Sequence, residues 1–340
     1  MPPPWGAGRG KKVNTMYHAA FRVLEVLEKS EGPVSGEAIS NTLGISRSAV
    51  WKHIKELIDM GYEITASHRE GYRLKKSSNR LLPYEVHKRL RTSFMGKKMR
   101  YFESTTSTNW VGRQMAEEQD PGSLHGMVII AEQQTGGIGR LGRSWVSPRG
   151  GIWATVVVKP KIPIERVFMI TMAGAIAIAR ALRKEYDLGA LIKWPNDIYI
   201  GDSKVAGLLL EISAEADQIN YAVLGLGVDA NVSPKDLSGL PNAVTSVSLE
   251  VGHDVDRPAL LARILKEFES RYLLLEAGEY ESIVREWKSL SCTLEHRVRV
   301  NTLKTCVEGE AIDIDEYGAL LIRKDNGKIE RVIAGDCTQQ

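Results

Sequence analysis

The residues best suited to chemistry begin with a glycine- and arginine-rich segment, GGIGRLGR at residues 136–143, preceded by Gln133 and Gln134. Backbone N–H groups without side chains can approach an anion closely, and the two arginines add positive charge. The segment follows an apolar run at 127–131 that predicts a strand, as in many phosphate-binding loops. It lacks the ending of a P-loop and the spacing of the dinucleotide fingerprint. Because loops favour glycine, a flexible surface loop is the alternative.

A second group of candidates is the sequence KWPND at 193–197, followed by SKVAG at 203–207. Pro-Asn-Asp is typical of a turn. The apolar runs on either side of Gly201-Asp202 predict a hairpin with a two-residue loop, which sets Lys204 opposite Tyr199. A lysine at the start of a core strand is a well-aimed positive charge. An ordinary strand-edge lysine is the alternative, because such lysines are common.

A third group is the sequence GLGVDAN at 225–231. Two glycines at the end of an apolar strand indicate close approach of the backbone to a ligand or to another strand. Taken alone, this pattern is a weak indication of a site.

The segment SGEAISNTLGISRSAVWKHIKELIDMG at 35–61 predicts two short helices joined by a glycine-containing turn. Ser35 and Ser46 are the expected N-caps, and Gly44 is expected to end the first helix. Two helices joined in this way form a helix-turn-helix. The inward face of the second helix is predicted to consist of Val50, Ile54, Leu57 and Ile58.

The outer face of that second helix is suited to phosphates and base edges of DNA. Residues 1–77 carry 12 Lys and Arg against 8 Asp and Glu, whereas the remainder carries 33 against 34. The positive excess therefore lies where a nucleic acid is expected to bind. A protein-interaction module with a solvated charged face is the alternative. The predicted DNA contacts are Arg47, Ser48, Trp51, Lys52 and Lys55, with Arg69 in a basic wing between two strands.

Composition places the chain among globular proteins. Its 340 residues are 43% hydrophobic and 26% charged, which predicts two or three domains. No run reaches the ~18 apolar residues of a membrane helix, so no membrane partner is expected. Residues 1–12 lack the apolar core of a signal peptide and are expected to form a disordered leader. Three widely spaced cysteines predict reduced thiols and a cytoplasmic location.

The chain beyond the leader is predicted to form three domains. Residues 13–76 form a winged helix-turn-helix, followed by a polar linker, KKSSNR. Residues 81–290 alternate helical patterns with β-branched runs, which predicts an α/β (α+β) domain with a central mixed sheet. Residues 291–340 contain short strands and turn signals, which predicts a small β-barrel.

The order of these motifs resembles that of biotin protein ligases. It runs from Ser107-Thr108-Asn109 through the glycine–arginine segment ending in Trp145 to KWPND, SKVAGLLLE and GLGVDAN. KWPND followed by Lys-x-Ala-Gly is highly specific. The helix-turn-helix makes the likeness closest to the bifunctional biotin operon repressors. The last segment resembles the family's small SH3-like β-barrel, and the resemblance covers about 20–336.

The resemblance implies roles for individual residues. Lys193 and Lys204 match cations near the carboxylate and phosphate, with Lys204 the stronger candidate for direct contact; with Arg140 they are the predicted catalytic residues. Mg²⁺ is expected with ATP, and Asp197 is a weak candidate for its ligand. The predicted biotin- and adenylate-binding residues are Ser107, Thr108, Asn109, Gln134, Gly137, Ile138, Gly139, Arg140, Trp145, Asn196, Lys204, Gly207 and Asn231.

Two positions depart from the family pattern. Ile138 replaces the first arginine of the loop, so any contact made by that guanidinium is lost. Asp229 stands where the family usually has asparagine, which adds a carboxyl group near the expected nucleotide.

The resemblance implies an ATP-dependent ligase that forms biotinyl-5′-AMP and transfers biotin to a lysine of a biotin carboxyl carrier protein. Positioning and positive charge should dominate this chemistry, because both initial reactants are anions. Two domains in one chain further predict binding to operator DNA as a ligand-promoted homodimer. A lipoate ligase and a DNA-binding repressor that only senses its ligand are the alternatives.

Overall fold

A computed structural model describes residues 9–67, 69–216, 218–238, 243–302 and 305–339, with side chains from residue 19 onwards. The chain divides into two compact units, Met1–Arg80 and Leu81–Gln340. The division falls at the end of the predicted linker. Within the second unit, the last strands pack on the central domain.

The first unit is a helix-turn-helix with a two-stranded wing. Its elements are α1 (Arg9–Glu28), α2 (Gly36–Leu43), α3 (Arg47–Asp59), β1 (Glu63–Ser67) and β2 (Gly71–Lys76). The predicted caps are present, since Ser35 and Ser46 accept hydrogen bonds from backbone N–H groups of their helices and Gly44 adopts φ 65°. Helix α1 already includes residues 9–12 of the expected leader; residues 1–8 lie outside the described part of the chain.

The inward face of α3 was predicted correctly except at Ile58. Val50, Ile54 and Leu57 are buried, but Ile58 is 47% exposed. Met60, just after the helix, is buried instead. A helical residue lies about 100° around the axis from its neighbour, so Leu57 and Ile58 cannot both face a narrow core.

The second unit is built on a seven-stranded mixed sheet with the order β3-β4-β5-β9-β8-β7-β6. Strands β3 and β4 are parallel and the other neighbours are antiparallel. The apolar run predicted at 127–131 and the predicted hairpin around Gly201-Asp202 both lie within this sheet. The strands are β3 (Met99–Phe102), β4 (Met127–Ala131), β5 (Ile152–Val158), β6 (Leu191–Lys193), β7 (Asp197–Ile200), β8 (Ser203–Glu215) and β9 (Gln218–Val228).

Helices cover this sheet and share the hydrophobic core with its strands. Helix α6 is apolar along nearly its whole length and packs on β8 and on α9. Its Gly174 lets the leucines Leu208 and Leu224 of the sheet approach the helix backbone. The helices are α4 (Pro83–Arg89), α5 (Thr108–Glu118), α6 (Phe168–Tyr186), α7 (Pro234–Leu237), α8 (Val247–Val251), α9 (Arg257–Glu276) and α10 (Tyr280–Ser289).

The chain ends in a small antiparallel sheet of five strands. Their order is β13-β12-β11-β10-β14, with β13 and β14 at the two edges. The indole N–H of Trp194 in the KWPND segment donates to the carbonyl of Gly318, which fixes this sheet to the central domain. The strands are β10 (Arg297–Asn301), β11 (Cys306–Ile314), β12 (Leu320–Arg323), β13 (Ile329–Val332) and β14 (Asp336–Gln339).

A buried ion pair joins four segments of the second unit. Glu132, at the end of β4, accepts a hydrogen bond from the backbone N–H of Leu81 at 2.7 Å and from Arg257 at 2.9 Å. Arg257 also donates to the carbonyl of Gly151. Because both charged groups are buried, their pairing offsets part of the cost of removing them from water.

Two further observations concern the predicted environment of the protein. Within the described ranges, no helix is long and apolar enough to cross a membrane. Cys292, Cys306 and Cys337 are free thiols, as predicted.

Candidate active site and nucleic-acid interface

A cavity of about 510 Å³ opens at one end of β8 and β9. Its wall includes the glycine–arginine loop, the KWPND turn, the start of α5 and residues 335–337 of the small sheet. Eleven of the predicted ligand-binding residues line it. They are Ser107, Thr108, Asn109, Gln134, Ile138, Gly139, Arg140, Trp145, Asn196, Lys204 and Gly207.

One end of the cavity is a network of amide and hydroxyl groups. The Oε1 atom of Gln134 accepts hydrogen bonds from the backbone N–H and the hydroxyl of Thr108, at 2.8 and 3.1 Å. Thr155 donates to Asn109 Oδ1 at 2.6 Å. Ser107 caps α5 and also faces the cavity. Several neutral donors and acceptors lie close together here, and such a group suits an uncharged polar ligand group such as an amide or a urea.

Two glycines facing each other across β8 and β9 form an apolar floor. Gly207 pairs with Gly227, and the indole of Trp145 lies directly over both. A Cβ atom at Gly227 would approach Trp145 Nε1 to 2.9 Å. Among the described residues, this buried indole nitrogen has no hydrogen-bond partner. Trp145 Nε1 is therefore an unsatisfied donor held against the backbone of Gly227.

Lys204 supplies a cation to the same region. The predicted hairpin is confirmed, because Lys204 pairs with Tyr199 across β7 and β8. Its ammonium lies 2.6 Å from Oδ1 of Asp197 and 4.9 Å from the centroid of the Trp145 ring. Rigid strand geometry holds this charge at the cavity wall.

Arg140 supplies the second cation. Its guanidinium donates to Asn196 Oδ1 at 3.1 Å, and Asn196 in turn donates to the carbonyl of Leu208 at 2.6 Å. Burial lowers the pKa of Arg140, although an arginine stays protonated at neutral pH. In the described part of the chain no carboxylate is bonded to this partly buried guanidinium, which favours an anionic ligand.

Three predicted site residues do not line the cavity. The ammonium of Lys193 lies over the ring of Tyr199, 4.8 Å from its centroid. Asn231 bonds both backbone polar groups of Val255 and so fixes the chain after β9. Gly137 contacts the loop itself, where a Cβ would lie 2.4 Å from the carbonyl oxygen of Trp145. In the structure, Asn231 and Gly137 therefore shape the site and Lys193 points elsewhere.

Asp229 is a buried carboxyl group in the cavity wall. It is 4% exposed, and burial raises its pKa to about 8, opposed by the nearby Lys204 ammonium. At neutral pH this carboxyl is mostly protonated, so it adds little negative charge near the expected anion.

Sequence reasoning missed the contribution of the small sheet. Gly335, Asp336 and Cys337 line the cavity, and Asp336 binds Arg143 of the loop through two hydrogen bonds. The partners are 193 residues apart. Sequence spacing gives no signal for such a contact.

The predicted DNA-binding residues are all exposed on the first unit. Arg47, Ser48, Trp51, Lys52 and Lys55 are all exposed on α3, and Lys55 Nζ lies 5.7 Å from the centroid of a Trp51 ring. Arg69 is exposed in the turn of the wing. Serine, arginine and lysine near a helix N-terminus are typical of a recognition helix.

Three protein-family models match three separate ranges of the chain. The Biotin/lipoate A/B protein ligase family matches residues 101–229, an HTH domain matches residues 20–73, and the Biotin protein ligase C terminal domain matches residues 293–338. These ranges agree with the order of domains predicted from the sequence.

The chain is a member of the biotin protein ligase family. It is 34% identical to the bifunctional ligase/repressor BirA of Bacillus subtilis (strain 168) over 305 residues, covering 89% of this chain and 93% of the relative. It is 28% identical to the protein of that name from Escherichia coli (strain K12), covering 86% and 88%. The biotin protein ligase of Aquifex aeolicus, solved with biotin and ATP, has the same fold (TM-score 0.61, 23% identity, covering 72% and 99%).

Proposed function

We propose that the chain is a biotin protein ligase that also binds operator DNA as a biotin-responsive repressor. The convergence of Arg140 and Lys204 on one cavity carries this proposal. Two cations beside an uncharged polar end suit a ligand with an amide-like ring and a carboxylate, together with a nucleotide. Because ATP and operator DNA are both inside the cell, we propose a cytoplasmic location.

Biotin and ATP occupy adjacent parts of the cavity in this proposal. The ureido ring of biotin binds the network around Thr108 and Gln134, where neutral donors and acceptors match it. Its apolar body lies against the indole of Trp145, which covers Gly207 and Gly227. The carboxylate and the α-phosphate of ATP then meet beside Lys204 and Arg140.

The chemistry requires the protein mainly to hold two anions together. The biotin carboxylate oxygen attacks the α-phosphorus, the bond to the β-phosphate oxygen breaks, and pyrophosphate leaves. Lys204 and Arg140 offset the charge that builds up on the transferring phosphoryl group. A carrier lysine amine then attacks the biotinyl carbonyl, which releases AMP. Exclusion of water by the loop protects the mixed anhydride between these steps.

Mg²⁺ is expected to accompany ATP. Asp197 and Asp229 both face the cavity. Among the described residues, no group of three or more His, Cys, Asp or Glu side chains could hold a metal. This arrangement fits Mg²⁺, which keeps several waters and binds one or two carboxylates with substrate phosphates. The ion would neutralise phosphate charge, and Asp197 is the proposed carboxylate.

DNA binding is proposed for the face of α3 that carries Arg47, Trp51 and Lys55. A homodimer promoted by biotinyl-5′-AMP would present two such helices to one operator. An affinity for operator DNA that does not change when biotin and ATP are added would refute this part of the proposal. The SH3-like closure of the small sheet and the domain boundaries stay predictions.

The experiment that tests the ligase is biotin-dependent release of pyrophosphate from Mg-ATP, with lipoate as a control acid. Release with biotin alone supports the proposal and excludes the lipoate ligase. Binding of biotin without release favours a repressor that only senses its ligand. Transfer of biotin to a carrier lysine, measured as the mass increase of the carrier protein, then tests the second step.

A further inference from the structure

We propose that Arg143 and Asp336 form a latch through which the small C-terminal sheet holds the glycine–arginine loop closed over the adenylate. The proposal rests on the ligase function and adds a positioning residue, Asp336, outside the motifs of the central domain. In this proposal the latch acts on the position of the loop. It sets how long the intermediate is retained before a carrier lysine arrives.

The geometry of the pair is that of a two-point clamp. Nη1 and Nη2 of Arg143 donate to the two carboxylate oxygens of Asp336 at 3.0 and 2.8 Å. Parallel bonds of this kind fix orientation as well as distance. The guanidinium holds the pKa of Asp336 below its usual range, so the carboxylate stays charged at neutral pH.

The Asp336 side of the latch is rigid. Asp336 begins β14, which pairs with β10. A Cβ on the preceding Gly335 would lie 2.4 Å from Val300 Cγ1 and 3.0 Å from the carbonyl oxygen of Asn301. This close packing fixes the chain immediately before Asp336, so the backbone that carries the carboxylate is held in place.

The Arg143 side belongs to the loop, which has a second anchor three residues earlier. Arg140 bonds Asn196 of the KWPND turn. Between the two anchors, Leu141 adopts φ 57°, a strained conformation for a leucine, and its side chain is 59% exposed. A strained segment held at both ends stays in place only while its anchors hold.

The exposure of the latch suits it to opening. The side chains of Arg143 and Asp336 are 56% and 46% exposed, so salt screens the pair. Loss of an exposed pair of this kind is expected to speed escape of the adenylate about two- to fivefold. The effect should lie towards the upper value because the contact is bidentate. A latch of this strength permits each turnover to reopen the loop.

The test compares Arg143→Gln, Asp336→Asn and the double variant in the full chain. Labelled biotinyl-5′-AMP is formed on the protein, excess unlabelled biotin and ATP are added, and the dissociation rate is measured in low salt and in 1 M NaCl. Both single variants should release the label faster than wild type, and the double variant no faster than either. High salt should speed release from the wild type alone.

Asp325→Asn is the matched control. Asp325 also binds an arginine, Arg297, through two hydrogen bonds on the same sheet, and it does not line the cavity. Equal retention in Asp336→Asn and wild type, additive effects of Arg143→Gln and Asp336→Asn, or the same loss in Asp325→Asn would overturn the latch.

Tryptic cleavage after Arg140 in the ligand-free chain gives a second readout that needs no activity. Asp336→Asn should be cut faster than wild type and Asp325→Asn at the wild-type rate. If the wild type forms no adenylate, the proposed function fails, while this assay still tests the latch. Equal cleavage in all three proteins would refute it.

Discussion

The ammonium of Lys204 lies 2.6 Å from Oδ1 of Asp197, which is two residues along β7 from Tyr199, the cross-strand partner of Lys204. This ion pair holds Lys204 in the cavity wall before any substrate arrives. An incoming phosphate must compete with Asp197 for the same ammonium. The Lys204 ammonium is therefore already positioned for a ligand, while it is ion-paired with Asp197.

The first prediction concerns the two lysines of this region. Lys204→Ala should lower biotin-dependent pyrophosphate release about 100-fold, because a preorganised cation at the transferring phosphoryl group is removed. Arg140→Ala should act similarly. Lys193→Ala should stay near wild type, since its ammonium lies over Tyr199. Steady-state kinetics with all three variants decide this, and an equal loss at Lys193 would show that it reaches the substrate.

The second prediction concerns the departure at Ile138. This side chain lines the cavity and is 56% exposed. Ile138→Arg should therefore tighten binding of ATP about three- to tenfold by adding a cation at the rim. Titration calorimetry with a non-hydrolysable ATP analogue measures it, with Ile138→Gln as the uncharged control. Equal affinities for the arginine and glutamine variants would contradict a role for charge at this position.

The third prediction concerns the pH dependence of stability. Asp229 has a pKa of about 8 when folded, against 3.8 for an ordinary aspartate. Folding therefore takes up a proton between these values, and the resulting stability is present at low pH and is lost as pH rises towards 8. As pH rises through this range, the free energy of unfolding of wild type should fall relative to that of Asp229→Asn. The fall should be at most about 1.4 kcal/mol per pH unit.

Urea unfolding from pH 5 to 8.5 measures this difference. The control is Asp202→Asn, at an exposed position in the β7–β8 turn. Its stability should run parallel to that of wild type. A constant gap between wild type and Asp229→Asn across the pH range would mean that Asp229 is ionised throughout.

The fourth prediction concerns the face of α3. Lys52→Ala and Lys55→Ala should each weaken binding to a generic 30-base-pair duplex and reduce the slope of log K against log salt by about 0.9. Fluorescence anisotropy at several salt concentrations gives both quantities. Lys266→Ala, an exposed lysine on α9, controls for net charge. Identical slopes of log K against log salt in all variants would show that α3 does not contact the DNA.

Local sequence patterns predicted the elements that depend on neighbouring residues. The two-residue turn at Gly201-Asp202 set Lys204 opposite Tyr199, and the caps at Ser35 and Ser46 were found because capping is a local property. The predicted ligand-binding residues mostly came from the family resemblance, and eleven of them line one cavity.

Tertiary packing decided what the sequence could not. Lys193 was expected beside the substrate, but its position over Tyr199 depends on how β6 and β7 pair. Ile58 was expected inside because it is apolar, whereas its helical phase turns it outward. The bond between Arg143 and Asp336 depends on the packing of the small sheet against the central domain.

The buried pair of Glu132 and Arg257 constrains how this protein can change over evolutionary time. Loss of either partner leaves a buried charge, at a cost of about 3–5 kcal/mol, which is a large share of the stability of a domain. Single substitutions at either position should thus be purged, and the two positions should change together among relatives. Because Glu132 also bonds Leu81 N–H, the same constraint fixes where the second unit begins.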